Sequence, residues 1–304
     1  MPTKRDFLSV SDLSPSETRH LIQRAREMKE EGNSQLLRGK RVALLFEKPS
    51  LRTRVSFQIG IQEMGGYSLY LSPEEVGLGT REPVPDVARV LSGYVDCIVA
   101  RVFSHEHLVE MAENATVPVI NGLSDHEHPC QAISDMVTIA EHQGELPGLK
   151  LAFIGDGNNV ARSLCLGLPA VGMSFAIATP PGYQLDQATL KLARERANGT
   201  RAKVQAVTDP QEAVVDADVV YTDVWASMGQ EGEANRRRLD FQGYTVDADL
   251  LAKAKPSANF MHDMPAHYGE EVAPGMLEHP QSLAYQQAHN RLHGQKAVLE
   301  LLLG

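Results

Sequence analysis

Residues 40–66, KRVALLFEKPSLRTRVSFQIGIQEMGG, decide how the chain folds. The uninterrupted apolar run from Val42 to Phe46 predicts a strand buried on both faces. After Arg54 the spacing of Phe57, Ile61 and Met64 predicts a helix with one apolar face, closed by Gly65-Gly66. YSLYL at 67–71 resumes a strand. Two more units of the same kind follow: a helix around PVPDVARVLSGY before the strand DCIVARV, and a helix around SHEHLVEMAENA before the strand VPVINGL. Strand and helix in strict alternation imply a mostly parallel sheet covered by helices on its faces.

A second series opens after GELPGLK, whose glycines and proline punctuate the chain. Strand candidates recur at LKLAFIG, SFAIATP, KVQAVT, DVVYTDVW and SANFMHDMP. The expected class is therefore α/β with two domains, each a mostly parallel β-sheet flanked by helices. The boundaries read as 1–135 and 148–285, with a C-terminal helix at about 286–304 returning to the first domain.

Composition narrows the function. Of 304 residues 42% are hydrophobic, enough for substantial cores, and 29 Lys and Arg against 39 Asp and Glu give a net charge of −10. That balance argues against a nucleic-acid surface, so any anion must be gathered by a local basic site. Cys97, Cys130 and Cys165 lie far apart without CxxC spacing, which argues against disulfides and structural zinc. No stretch of about 18 apolar residues runs uninterrupted and the N-terminal MPTKRDFLSVSDLS is polar, so neither a membrane span nor export is expected. A cytoplasmic location is expected.

Ser50 to Arg54 lies where a strand gives way to a helix, the place where open α/β sheets bind anions on uncompensated backbone amides. The hydroxyls of Ser50 and Thr53 and the guanidinium of Arg52 add charge-assisted donors suited to a phosphate. Taken alone, the same residues also suit an ordinary arginine-bearing helix start. Arg101 ends DCIVAR, and HEHPCQ supplies His128 and Gln131 just beyond the strand candidate ending at Leu123. Three strand ends thus present polar groups beside one basic loop.

At these residues the chain resembles the aspartate/ornithine carbamoyltransferase family over its whole length. The resemblance runs in order through FEKPSLRTR, HPCQ, DGNN, DVWASMGQE and FMHDMPAHYGEEV. DVWASMG is similar to the loop of the ornithine-using branch. The resemblance implies carbamoyl phosphate and L-ornithine as substrates, L-citrulline and phosphate as products, no cofactor, no metal and a homotrimer or a higher assembly of trimers. It implies that Ser50, Leu51 through its backbone, Arg52, Thr53 and Arg291 surround the phosphate. Arg101, His128 and Gln131 would hold the carbamoyl end, with Arg101, His128 and Thr53 stabilising the developing oxyanion. Asn159, Asp223, Ser227, Met228, Asp263 and Met264 would receive ornithine.

Where the branch commonly has HCLP this chain has HDMP, which puts Asp263 beside the attacking amine and Met264 in place of leucine. Asp263 either binds the incoming ammonium and takes part in its deprotonation, or hydrogen-bonds locally while its backbone carbonyl contacts substrate. The departure keeps two other readings open: transfer to a related amine such as putrescine or an acylated ornithine, and a non-catalytic amino-acid-binding protein. In EEVGLGTRE, Gly77 stands where some relatives have Gln or His, and Arg81 is the candidate for a cation lent to a neighbouring subunit.

Other conspicuous residues receive ordinary readings. GDGNNV imitates a dinucleotide turn, but Val160 stands at the third glycine. The arginines at 236–238 read as a solvated helix face. Trp225 is expected to pack beside the substrate loop, and Cys130 to line the site without acting as a nucleophile. His105, His107, His126 and His267 lack an evident set of metal-ligand partners.

Overall fold

The computed structural model describes residues 4–226 and 231–304. The chain divides into two compact units, Met1–Val137 with His289–Gly304, and Thr138–Ala288.

The first unit holds a parallel sheet in the order β2-β1-β3-β4, built from β1 (Arg41–Phe46), β2 (Tyr67–Leu71), β3 (Cys97–Arg101) and β4 (Val119–Leu123). After the opening helix α1 (Pro15–Glu31), the crossovers are α2 (Leu51–Glu63), then α3 (Pro73–Val76) with α4 (Val84–Ser92), then α5 (His105–Asn114). Helix α6 (Pro129–Gln143) leads out of the unit. The apolar run of β1 is buried from Val42 to Phe46, as a strand sandwiched between helices must be.

Helix α2 begins earlier than the periodicity suggests. Ser50 caps it, its hydroxyl accepting the Thr53 amide at 3.3 Å, so Leu51 to Arg54 form the first turn rather than a loop. The polar first turn hid this start, because its residues carry no apolar repeat. The helix ahead of HPCQ was likewise invisible: Pro129 opens α6, so His128 to Gln131 stand at a second helix start.

The second unit repeats the plan with β5 (Lys150–Ile154), β6 (Ser174–Ala178), β7 (Val204–Val207), β8 (Val219–Thr222) and β9 (Asn259–His262), all parallel in the order β7-β6-β5-β8-β9. Its helices are α7 (Asn159–Ala170), α8 (Gln187–Arg196), α9 (Pro210–Val214), α10 (Ala234–Asp240) and α11 (Ala248–Leu251). Among the described residues no helix is long and apolar enough to cross a membrane.

Helix α12 (Ala284–Leu303) carries the chain back, and from His289 onward it belongs to the first unit. Ion pairs and close packing are among the contacts that hold it there. Arg24 of α1 reaches Glu300 at 2.7 Å. The buried ammonium of Lys296 meets Glu63 at 2.9 Å and the Gly32 carbonyl at 3.2 Å. Gly294 lies so close to α6 that a β-carbon on it would stand 2.5 Å from the Ser134 hydroxyl and 3.2 Å from its Cα. Substituting Gly294→Ala is expected to force the helices apart and cost about 1–3 kcal/mol, the usual range for overpacking. Urea unfolding should show a lower midpoint with an unchanged m-value.

Candidate active site

In the first unit a strand end and two helices bring three guanidinium groups to one helix start. Thr53, completely buried, is the common point: its hydroxyl oxygen accepts from Arg101 Nη1 at 3.4 Å and from Arg291 Nη2. Arg101 reaches it from the end of β3, where the ladder to β4 shifts register between Ala100 and Arg101. Such a bulge turns a side chain away from the regular alternation of the strand. Arg291 comes from α12, 238 residues further along the chain. Arg52, one residue before Thr53 on the same helical turn, keeps a buried Nε with no hydrogen-bond partner among the described residues. Leu51 is 75% exposed, so only its backbone amide can serve a ligand.

His128 and Gln131, 2% and 1% exposed, complete the group. Burial first, then the nearby Arg291 and Arg101 cations, hold the His128 imidazole well below its ordinary pKa. Gln131 donates its amide Nε2 to Asp135 at 2.8 Å, which leaves Oε1 buried without a donor. An acceptor beside several cations suits a ligand that carries both an anion and an N–H group.

Residues outside the expected set brace this cradle. Glu47 donates its amide to the Arg101 carbonyl at 2.8 Å while its carboxylate accepts the Phe103 amide at 2.8 Å, tying β1 to the end of β3. Lys48, 7% exposed, sets its ammonium 4.5 Å from the centre of the Phe103 ring. Both adjoin the capped serine in sequence, and only their position next to the basic loop hinted at a role. Cys130, by contrast, does not line the site. It is fully buried with its sulfur 3.5 Å from the Asn121 carbonyl, and burial pushes its thiol up to about 12.

The second unit gathers carboxylates. Asp223, just past β8, accepts from Asn158 Nδ2 at 2.6 Å and from the Val224 amide at 2.7 Å. Asn158 caps α7, its Oδ1 taking the Val160 and Ala161 amides at 3.0 Å each. Asn159 is the first residue of that helix, and the bond to Asp223 comes from its neighbour Asn158. Gly157 permits the turn: a β-carbon there would lie 2.6 Å from the Leu185 nitrogen and 2.7 Å from the Tyr183 oxygen.

Beyond β9, Asp263 approaches Asp223 and His262, with one ligating atom of each within 4.8 Å of the others. The fully buried His262 accepts the Met264 amide on Nδ1 at 2.9 Å and lies 3.2 Å through Nε2 from Glu271 Oε1. Accepting on Nδ1 places the ring proton on Nε2, facing Glu271. Met264, at φ 54°, packs against the core of this unit. His267 does have acidic neighbours, because Glu270 and Glu271 come within the same reach of it. Ser227 and Met228 lie outside the described residues.

The arginines at 236–238 require a correction. Arg237 is not solvated: it is 6% exposed and hydrogen-bonded to Asp156 at 2.7 Å. Arg236 and Arg238 do remain at the surface, with side chains 81% and 51% exposed. Trp225 stacks on Phe241, with ring centres 5.4 Å apart.

One unit thus presents a cationic cradle and the other a pair of carboxylates, the complement of an anionic donor and a cationic acceptor. Residues 5–141 match the family model "Aspartate/ornithine carbamoyltransferase, carbamoyl-P binding domain", and residues 147–302 match the "Asp/Orn binding domain" of the same family. The chain belongs to the aspartate/ornithine carbamoyltransferase family. It is 50% identical over 303 residues to the ornithine carbamoyltransferase of Anoxybacillus flavithermus, covering 98% of this chain and 96% of that one. The solved ornithine carbamoyltransferase of Pyrococcus furiosus superposes with a TM-score of 0.95 at 46% identity, covering 99% of this chain and 98% of that one. That of Thermus thermophilus gives 0.90 at 43% identity with full coverage of both.

The depressed His128 pKa has a measurable consequence. The unfolded chain takes up a proton near the ordinary histidine value of about 6.5 whereas the folded protein resists it, so the unfolded state binds more protons below that pH. The stability contribution is present above about 6.5 and lost as pH falls below it. Urea unfolding between pH 7.5 and 5 should show this loss, and His128→Asn should flatten it.

Proposed function

We propose that the chain transfers the carbamoyl group of carbamoyl phosphate to the side-chain amine of L-ornithine, releasing L-citrulline and phosphate, with the two sets of residues above as donor and acceptor sites. In this reading Ser50, the Leu51 amide, Arg52, Thr53 and Arg291 hold the phosphate. Arg101 and His128 address the carbonyl oxygen, and Gln131 Oε1 accepts from the carbamoyl N–H group. The observation that carries it is the convergence of Arg101 and Arg291 on the Thr53 hydroxyl at the start of α2. Each donor is fixed before the donor substrate arrives, so little reorganisation is needed when charge develops.

The chemistry balances without a redox group. The neutral δ-amine attacks the carbonyl carbon, the carbonyl electrons move to oxygen, and the tetrahedral intermediate collapses as the C–O bond to phosphate breaks. The proton lost by the attacking nitrogen goes to the departing phosphate. Holding both reactants in attack geometry supplies the proximity term.

Asp223 would receive one ammonium of ornithine, with Asn159, Ser227, Met228 and Met264 around the rest of the amino acid. Asp263 would meet the reacting nitrogen. An alkyl ammonium with a pKa of about 10.4 costs about 4.6 kcal/mol to neutralise at pH 7. A carboxylate beside it raises that cost unless it takes the proton itself, so Asp263 is assigned the role of general base. The closeness of Asp263 to Asp223 supports a place for the amine there, since two carboxylates suit an amino acid that carries two ammonium groups.

The assay is citrulline release with carbamoyl phosphate and a panel of amines. Turnover of ornithine, with putrescine and N-acetylornithine inert, is expected; the reverse preference, or no turnover at all, would refute the reading. Arg101→Gln should lower kcat by about 10²–10³, the usual effect of losing one oxyanion donor. Asp263→Asn should lower kcat/KM and displace its pH profile, and an unchanged profile would remove Asp263 from catalysis.

We assign a homotrimer in the cytoplasm. Edge strand β2 exposes Tyr67 and Leu69, and α2 exposes Val55 and Ile59, an apolar surface that suits contact with another copy. Arg81, paired only loosely with Glu82 at the surface, would be the cation lent across that contact. Sedimentation velocity should give three times the chain mass for the parent, and a smaller species for Leu69→Lys.

A further inference from the structure

Arg237 forms a buried junction that the reaction described so far does not use. Its Nη1 donates to Asp156 Oδ2 at 2.7 Å and to the Trp225 carbonyl at 2.7 Å, and its Nε to Glu233 at 3.0 Å. The guanidinium lies 4.9 Å from the centre of the Tyr183 ring. Two of these three acceptors belong to segments remote from its own helix. Asp156 precedes Asn158 by two residues, and Trp225 follows Asp223 by two. The 2.6 Å bond from Asn158 to Asp223 joins the same segments, so a closed circuit runs Arg237, Asp156, Asn158, Asp223, Trp225 and back to Arg237.

The first segment is also anchored from outside this circuit, the Gly157 amide donating to the Tyr183 carbonyl at 2.8 Å. Gly157 sits against the backbone of Tyr183 to Leu185 with no room for a β-carbon, so a shift at Asp156 has to be taken up at Asn158. On the other side, the Asp223 carboxylate is bonded to Asn158 and to its own successor, Val224. Its position therefore follows the Trp225 backbone. A planar fork that satisfies a carboxylate and a carbonyl from one nitrogen fixes the two segments' separation more tightly than a flexible ammonium does. Buried ion pairs contribute little net stability, and their best-attested use is to specify geometry.

We propose that Arg237 is a positioning residue for the amine-acceptor site, setting the distance and orientation between Asn158 and Asp223 through Asp156 and the Trp225 carbonyl. The inference rests on the reading of Asp223 as an ornithine contact. It assigns Arg237 no contact with substrate.

Trp225 is the only tryptophan in the chain, so its emission reports directly on this junction. The variants are Arg237→Lys, which keeps the charge but loses the fork, Arg237→Gln, and Asp156→Asn, which keeps the carboxylate's shape. Because misplacement by a fraction of an ångström is felt strongly in an oriented site, the ornithine KM should rise about tenfold in Arg237→Lys and Asp156→Asn. The carbamoyl phosphate KM should stay within about twofold, since uniform binding of the donor is untouched. Trp225 emission should shift while far-UV circular dichroism is unchanged, and Arg237→Lys should retain more activity than Arg237→Gln.

An ornithine KM within twofold of the parent and unshifted emission in both conservative variants would overturn the proposal. So would equal rises in both KM values, which would mark a general staple of the fold. Should Arg237→Gln fail to fold, the lysine and asparagine variants decide alone. Asp223→Asn separates the two levels of argument. If it raises the ornithine KM while the Arg237 and Asp156 variants do not, only the positioning role falls. If it leaves that KM unchanged, the acceptor-site reading falls and the positioning role with it.

Discussion

The hydroxyl of Thr53 is the point on which the donor half of the molecule turns. Two arginines from widely separated parts of the sequence converge on one neutral oxygen at the first turn of a helix. Packing like charges together in a buried place is unfavourable unless their donors find acceptors. The Thr53 oxygen is one such acceptor. Among the described residues the Arg52 Nε has none, so capacity for an anion remains there. The same cations, added to burial, keep His128 uncharged.

The acceptor half inverts this logic. Carboxylates stand in place of guanidinium groups, and each is oriented by the backbone or by an amide: Asp223 by Asn158 and the Val224 amide, Glu271 by the His267 amide and by His262. His262 in turn holds the Met264 amide and so shapes the turn that presents Asp263.

Much of this was legible in the sequence because parallel sheets leave a strong imprint. Continuous apolar strands such as Val42 to Phe46 and regular helices between them dictate the doubly layered plan. The basic loop was legible too, since a serine at a strand-to-helix junction suits a helix cap, and Ser50 is one. What escaped were features that depend on which way a side chain turns. The triple arginine looks uniform, yet successive helical residues point about 100° apart, and the middle one faces inward to Asp156. Asn158 and Asn159 are neighbours of identical type, and only the position of the cap separates their roles. Arg237 and Glu47 were missed because the groups that orient them lie far off in sequence: Asp156 is 81 residues from Arg237, and Phe103 is 56 from Glu47.

Arg291 also has a bearing on how the molecule is made. Its contact with Thr53 closes a loop of 238 residues, and closing so long a loop is among the entropically costlier steps in folding. During synthesis the sheet of the first unit is complete once Leu123 has emerged, but the third guanidinium arrives only with α12. A nascent chain therefore carries Thr53 and Arg101 well before Arg291, and the full cluster comes together as one of the last acts of assembly.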